Sequence, residues 1–209
     1  MSKRGIGGIF AYNEGFIQRD NRLKFAFLIF KYFPFGGMQR DMLRIAREIN
    51  KQGHKVEIFT ISWDGELPEG GIQVHVIPAT GIFNYTKYQR FITAAHDWIA
   101  QDNANGKPFD LIVGFNRMMG LDVYFAADPC FIERAHEQRG FLYRMTPRYR
   151  WFAACEKAIF TASAKTEILL LSDIEKGHFQ KWYQTQSERF HFIPPFLSPE
   201  RFVLKDKKA

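Results

Sequence analysis

Cysteine is scarce in this sequence, with two residues among 209, and the two do not form a C-x-x-C spacing. That scarcity argues against a disulfide framework or a thiolate metal site, and we expect Cys130 and Cys155 to be reduced core residues. Long apolar runs are missing too, because "FAFLIF" and "EILLL" fall far short of the roughly 20 residues that cross a bilayer as a helix. The first residues lack the apolar stretch of a secretory signal, so a cytoplasmic protein is predicted.

Several motifs of well-known enzyme classes are absent as well. No G-x-G-x-x-G or Gly-Lys-Ser/Thr sequence follows the first apolar run, which argues against a nicotinamide oxidoreductase and a P-loop hydrolase. The six histidines show no H-x-x-x-H or H-x-H pairing, and no G-x-S-x-G elbow occurs. We therefore expect no metal site. Glu133, Glu137 and Glu156 fall in helical stretches, where surface salt links are the ordinary interpretation.

Positive charge, by contrast, is in excess. The formal net charge is +7 and the pI is near 9.4, which predicts attraction to nucleic acid, an acidic lipid surface or a phosphorylated small molecule. A chain of this length with 46% hydrophobic residues can bury one core, so a single domain is expected.

The hydrophobic pattern predicts an α/β fold with a doubly wound, mostly parallel sheet. Residues 1–22 show no hydrophobic period and are expected to form a loose extension. The predicted domain spans residues 23–202, and residues 203–209 are expected to form a basic tail. Predicted strands lie at 24–30, 54–62, 71–78, 108–115, 121–128, 167–172 and 189–195. Predicted helices lie at 38–51, 86–101, 129–139, 147–162 and 173–184, with Thr146-Pro147 and Ser172 as start signals. Continuously apolar strands that alternate with amphipathic helices are typical of such sheets.

Ligands of these sheets bind at the carboxyl ends of the strands. That rule places three loop pairs on one rim: Gly36-Gly37, Trp63-Asp64 and Asn116-Arg117. A glycine pair between a strand and a helix suits a diphosphate, because backbone N–H groups can approach it and the helix N-terminus is electropositive. Two glycines alone also fit a simple tight turn. Asn116 and Arg117 can bind acceptor hydroxyl or phosphate groups, or form an ordinary solvated loop.

Longer stretches resemble a known family. The sequences "KYFPFGGMQRD", "VGFNRMMGLDVYFAAD", "GFLYRMTPRYR" and "FQKWYQTQSERF" are similar to those of lipopolysaccharide core glucosyltransferases of Gram-negative bacteria, which are family 4 glycosyltransferases of the GT-B architecture. The resemblance covers residues 23–202. It implies a Rossmann-like N-terminal half and transfer of glucose from UDP-glucose to an inner-core heptose with retention, without a metal.

The resemblance also implies roles for individual residues. Gly36 and Gly37 would approach the donor diphosphate or sugar, and Asp41 would face the cleft beside them. Arg201 matches a basic residue that would offset the diphosphate charge, although Phe196 stands where the family has a glycine. Asp122 matches an acid near the reacting centre; a carboxylate at a strand start that pairs with an arginine is the alternative.

Residues 129–152 combine charge with aromatic rings. This stretch has five arginines against two glutamates, and a cationic, aromatic surface suits an anionic lipid interface. The resemblance likewise implies membrane contact, on the cytoplasmic face of the inner membrane. The predicted lipid-binding residues are Arg144, Arg148, Tyr149, Arg150 and Trp151. A solvated arginine face over core aromatics is the alternative, and no nucleic-acid module is recognisable.

The resemblance covers one half of a GT-B enzyme. In the family, the paired glutamates and most uridine contacts lie in a C-terminal domain that would follow Arg201, and this chain ends eight residues later. We therefore expect a fragment, a gene remnant or one part of a split protein with a separate donor-domain polypeptide. No glucose transfer is expected from the chain alone. A non-catalytic, membrane-associated acceptor-binding module is the second interpretation.

Overall fold

Seven strands form a single sheet in the computed structural model, which describes residues 22–193. All six strand pairings are parallel, and the strand order is β3-β2-β1-β4-β5-β6-β7. The strands are β1 Lys24–Tyr32, β2 Lys55–Trp63, β3 Gln73–Val76, β4 Leu111–Gly114, β5 Val123–Ala126, β6 Glu167–Leu170 and β7 Phe190–Phe192. The predicted α/β class and parallel sheet are confirmed.

Helices cover both faces of this sheet. Within the described range they are α1 Gly37–Lys51, α2 Asn84–Ala104, α3 Phe131–Gln138, α4 Phe141–Arg144, α5 Pro147–Phe160 and α6 Asp173–Tyr183. Thr146 caps α5 as predicted, since its hydroxyl accepts a hydrogen bond of 3.2 Å from Tyr149 N. Ser172 takes the N-cap position of α6 but makes no capping hydrogen bond through its side chain. None of the helices in residues 22–193 is long and apolar enough to cross a membrane.

The central strand β1 contributes to two separate cores. Ala26, Leu28 and Phe30 pack on one face of the sheet in a cluster that includes residues of α2, α5 and α6. Phe27 and Ile29 pack on the other face with the buried side of α1. A strand buried on both faces needs a continuous apolar run, which explains why "FAFLIF" does not alternate with polar residues.

The connection from β4 to β5 is short and contains no helix. Residues 115–122 return from the carboxyl end of β4 to the amino end of β5, and the return passes so close to Gly114 that a Cβ there would lie 2.3 Å from Leu121 Cδ1. Gly120 adopts a φ of +76° on this path, a conformation that favours glycine. This return decides where Asp122 lies.

The proposed domain bounds remain predictions. Residues 1–21 and 194–209 fall outside the described part of the chain, and so do the predictions for the extension, the basic tail, Phe196 and Arg201.

A polar cluster holds the amino ends of β1, β2 and β3 together. Glu57 is 9% exposed; its carboxylate lies 3.0 Å from Lys24 Nζ and 2.7 Å from His75 Nε2. Lys24 Nζ also lies 3.0 Å from Asp102. Burial alone raises the pKa of Glu57, but the hydrogen bonds from His75 and Lys24 outweigh it and hold the pKa below its usual value of 4.5.

We predict that Glu57→Gln lowers the free energy of unfolding by about 1–3 kcal/mol at pH 7, because it weakens charge-assisted hydrogen bonds. Since the pKa of Glu57 is lower in the folded state, its carboxylate stabilises the fold above pH 4.5, and this contribution disappears as the pH falls through the folded pKa. Urea unfolding from pH 7 to pH 3 measures the difference. The exposed Glu69→Gln serves as control, and a Glu57→Gln deficit that stays constant over this range contradicts the assignment.

Candidate functional site

The structure brings the three predicted loop pairs to one edge of the sheet. Asn116, directly after β4, is fixed beside β1 because its Oδ1 accepts a hydrogen bond of 2.7 Å from Phe30 N. Asp64, directly after β2, is fixed in the same way, since its N–H donates to Tyr32 O at 3.1 Å. We call the edge formed by the loops after β1, β2, β4 and β5 the carboxyl rim.

The two glycines of the first loop have different roles. Gly36 is the N-cap residue of α1, and a Cβ there would lie 1.9 Å from Gln39 Oε1. The Gln39 side chain is buried and donates to Lys31 O at 3.2 Å, so a larger residue at position 36 would displace Gln39 or the Phe33 ring. A Cβ at Gly37, in contrast, would meet no described atom within 4 Å. Open space therefore lies in front of the first turn of α1.

No anion of the described chain neutralises this helix start. Within residues 22–193, no side chain caps α1 and its first turn contains no acidic residue. Helix N–H groups without partners carry partial positive charge and attract anions. α2 also begins without a side-chain cap, but only α1 follows a glycine pair on the described rim. The start of α1 is chemically suited to a phosphate.

Asp41 lies one turn further along α1. Its carboxylate forms an ion pair of 3.1 Å with Arg44, and its side chain is 26% exposed. It is near the rim but is held by its own helix.

Asp122 does not lie on the carboxyl rim. Its Oδ2 accepts a hydrogen bond of 2.8 Å from Ile112 N, and its backbone pairs with Ile112 and Glu167. These contacts place it at the amino ends of β4, β5 and β6, at the opposite edge of the sheet from Gly37 and Asn116. The resemblance implied a place near the reacting centre, and the short β4–β5 return puts Asp122 at the other edge of the sheet from the carboxyl rim. It is a strand-start carboxylate, paired with a backbone N–H instead of the arginine we considered.

Arg117 is buried, so the solvated-loop alternative does not describe it. The guanidinium Nε lies 3.1 Å from Glu156 Oε1, Nη2 donates to Pro129 O at 2.7 Å, and the group lies over the Phe131 ring. Burial by itself lowers the pKa of Arg117, but the charges of Tyr124 and Glu156 raise it overall. The cation is therefore permanently charged and held in place.

Glu156 is the functional-site residue that sequence reasoning missed. Its interpretation as a surface salt link is wrong, since the side chain is completely buried. It accepts hydrogen bonds from Phe131 N at 2.7 Å, from Ile132 N at 3.0 Å and from the Tyr183 hydroxyl at 2.7 Å. A signal existed in the sequence, because Glu156 shares the apolar face of α5 with Ile159 and Phe160 at helical spacing.

These hydrogen bonds cap the N-terminus of α3. Glu156 takes its first two N–H groups, and Glu175 accepts from Cys130 N at 2.8 Å. Burial, followed by the Glu156 charge, raises the pKa of the Cys130 thiol to about 12, and burial raises that of Cys155 to about 12. Both cysteines are free and buried, as predicted, and neither is an activated nucleophile.

The basic and aromatic segment divides into an inner and an outer part. Trp151 is half-buried and packs on the core cluster beside Tyr88, and Tyr149 packs on Phe131. Trp151 is therefore less accessible than the side chains of α4, and its lipid contact stays a prediction. The exposed apolar residues are instead Phe141, Leu142 and Met145, at 67%, 79% and 55%. We call these three, together with the exposed Arg139 and Arg150, the outer surface of α4.

Arg144 and Arg148 border this surface. Arg144 contacts His136 Nδ1 at 3.2 Å and lies over Phe141. Arg148 lies over Phe152, with 5.1 Å between the guanidinium carbon and the ring centroid. In the described part of the chain, no group of three or more His, Cys, Asp or Glu side chains is placed to hold a metal ion.

Comparisons with known proteins agree with this architecture. The chain is 43% identical over 176 residues to the lipopolysaccharide glucosyltransferase WaaG of Escherichia coli K12, which covers 84% of this chain and 46% of WaaG. A crystal structure of WaaG, described as a glycosyltransferase involved in lipopolysaccharide biosynthesis, superimposes with a TM-score of 0.77 at 42% identity, covering 85% of this chain and 46% of that one.

The chain thus spans less than half the length of the relative that it matches. The family model "Glycosyltransferase Family 4" matches residues 35–201, which include the glycine loop, the carboxyl rim and the Glu156 network. The chain belongs to glycosyltransferase family 4.

Proposed function

We propose that this chain forms the acceptor-side half of a retaining glycosyltransferase that transfers glucose from UDP-glucose to an inner-core heptose of lipopolysaccharide. The observation that carries the proposal is the open, uncapped start of α1 at Gly37, in a chain 43% identical to a lipopolysaccharide glucosyltransferase. Because the chain spans 46% of that relative, the roles below are those of this half alone.

The start of α1 would stabilise the leaving group. In glucose transfer, the bond between the sugar C1 and the diphosphate oxygen breaks, and C1 forms a new bond to an acceptor hydroxyl, whose proton passes to the departing diphosphate. Negative charge accumulates on the departing diphosphate. Preorganised N–H groups of Gly37 and Met38 face that charge without reorganisation. Such a donor site needs no metal ion, and Asp41 and Arg201 remain further candidates for donor contacts.

Asn116 and Arg117 would bind the acceptor. Since Asn116 Oδ1 is taken by Phe30 N, its amide nitrogen is the group that can donate to a sugar hydroxyl. Arg117 retains N–H donors beyond those used by Glu156 and Pro129. Asp122, bonded to Ile112 N at the other edge of the sheet, supports the sheet in this proposal and takes no part in the reaction.

We predict that Gly37→Asp separates stability from donor binding. A carboxylate at the first residue of α1 has room and interacts favourably with the helix dipole, so the free energy of unfolding should stay the same or rise by about 0.3–1 kcal/mol. The same carboxylate repels a diphosphate, so the affinity for UDP-glucose should fall about tenfold or more. Titration of UDP-glucose, followed by the NMR shifts of the Met38 and Gln39 amides, measures this.

The control is Gly177→Asp, which makes the same substitution at an open glycine of α6. Equal losses of affinity in both variants, or an unchanged affinity in Gly37→Asp, would show that the diphosphate does not bind at α1.

We further propose that the chain binds the cytoplasmic face of the inner membrane through the outer surface of α4. Phe141, Leu142 and Met145 are exposed close together in the chain. Arg144 lies over Phe141, Arg139 lies over Tyr143 of α4, and Arg150 is exposed on the adjoining α5. Apolar side chains that enter the acyl boundary, with cations at the headgroups, are the usual elements of interfacial binding. A membrane position would also place the enzyme beside its lipid-linked acceptor. Arg148 and Tyr149 border this surface, and Trp151 lies half-buried against the core.

We predict that Phe141→Ser with Leu142→Ser abolishes most binding to vesicles that contain phosphatidylglycerol. Two apolar side chains contribute about 1.5–3 kcal/mol each when buried, so the partition coefficient should fall more than tenfold. Vesicle sedimentation measures it, and Leu67→Ser with Ile174→Ser, which are 66% and 76% exposed elsewhere, is the matched control.

Equal sedimentation of the wild type with neutral and anionic vesicles would contradict the electrostatic part of this proposal. Unchanged sedimentation of the Phe141→Ser, Leu142→Ser variant would contradict the proposed membrane surface itself. Vesicle binding without any UDP-glucose response at Met38 would instead favour the second candidate, a non-catalytic membrane module that binds the acceptor.

A further inference from the structure

A small cavity adjoins the carboxyl rim on the side of α3 and α5. It has a volume of about 270 Å³, and its walls include Arg117, Asp128, Phe131, Arg134, Arg148 and Phe152. Arg117 and Asp128 come from the loops after β4 and β5, while Arg148 and Phe152 come from the first turns of α5. The cavity therefore lies between the predicted acceptor residue Asn116, which directly precedes Arg117, and the basic segment.

Positive charge dominates this cavity. Three arginines line it against one aspartate. Within the described residues, neither Arg134 nor Arg148 forms an ion pair with a carboxylate, and Arg148 is held over the Phe152 ring. Aromatic rings that support guanidinium groups leave the planar N–H edges available to an anion. The start of α3 contributes no attraction, because Glu156 and Glu175 already occupy its N–H groups.

Arg117 gives the cavity a rigid, buried cation. The side chain is 8% exposed, its Nε lies 3.1 Å from the Glu156 carboxylate in an ion pair without a hydrogen bond, and its Nη2 donates to Pro129 O. A guanidinium has five N–H donors, so donors remain for a ligand after these two contacts. A hydrogen bond from such a cation to an anion is charge-assisted and stronger than one between neutral groups.

We propose that this cavity binds an anionic group, a carboxylate or a phosphate, carried by the sugar acceptor next to the residue that receives glucose. The inference rests on the proposed function and specifies the class of acceptor: an acidic or phosphorylated saccharide, in preference to a neutral one. Sites for drug-sized ligands measure about 300–1,000 Å³, so 270 Å³ is too small for a nucleotide sugar and suits one charged sugar unit.

Inorganic phosphate tests the proposal directly. In a titration at constant ionic strength, backbone amides of residues 128–134 and 148–152 should shift together and saturate. Arg134→Gln with Arg148→Gln removes two exposed charges and leaves the buried network intact, and it should raise the Kd for phosphate about tenfold or more. Arg47→Gln with Lys157→Gln, two exposed cations outside the cavity, removes the same charge and should leave the Kd within about twofold. A Kd in the cavity variant within twofold of wild type overturns the proposal.

Two further experiments identify the source of the anion. Glucuronate should shift the cavity amides at concentrations where glucose does not; equal responses to both overturn the acidic-sugar specificity. On phosphatidylglycerol vesicles, Arg134→Gln alone, which leaves the predicted lipid contact Arg148 in place, should keep most of its binding. Loss of vesicle binding with unchanged phosphate affinity would show that these arginines bind lipid headgroups, and it also overturns the proposal.

The amides of Met38 and Gln39 report the donor site separately, so failure of UDP-glucose to shift them counts against the proposed function and not against the cavity.

Discussion

A helix that begins at the rim of a parallel sheet has N–H groups without partners in the helix, and these groups attract an anion. The arrangement of the site depends on what satisfies them. At α3 the protein supplies the anion itself. Glu156 lies completely buried and binds Phe131 N and Ile132 N. A buried carboxylate is costly without partners, and Arg117 and Tyr183 provide them. The same carboxylate thus connects α3, α5, α6 and the loop after β4, and so fixes one wall of the rim.

At the start of α1, in contrast, the described residues supply no anion. In the described chain this helix has neither a side-chain cap nor a first-turn acid, and Gly37 leaves open space before it. Gly36 is needed for the turn, as the contact with Gln39 shows. One helix start is therefore capped by the protein, and the other has no side-chain partner in the described chain. A transferase that releases a diphosphate can use such a difference, because the group that stabilises the leaving charge must be unpaired before the substrate arrives.

Much of this architecture was predictable from sequence, because apolar runs and helical periods identify strands and helices one at a time. The rim pairs Gly36-Gly37 and Asn116-Arg117 followed from the rule that parallel strands end at the same edge. The position of Asp122 followed as well, because the strands predicted at 108–115 and 121–128 leave no room for a helix between them and put Asp122 at a strand start; only the resemblance suggested a place near the reacting centre. Glu156 was wrongly assigned to the surface, and the half-buried place of Trp151 was not foreseen, because composition shows that a segment is charged and aromatic but not which side chains face inward. Phe141 and Leu142 are exposed on α4, a single helical turn that is too short to show a hydrophobic period in the sequence.

Hydrogen exchange of four backbone amides tests the central contrast most directly. The first N–H groups of a helix normally exchange rapidly, since they lack a partner in the helix. The account predicts that Phe131 and Ile132 exchange on the order of a hundredfold more slowly than Gly37 and Met38, after correction for local sequence, because the Glu156 hydrogen bonds open only with local unfolding. If all four amides exchange at similar rates, Glu156 does not close α3, and the distinction between a closed and an open helix start is wrong.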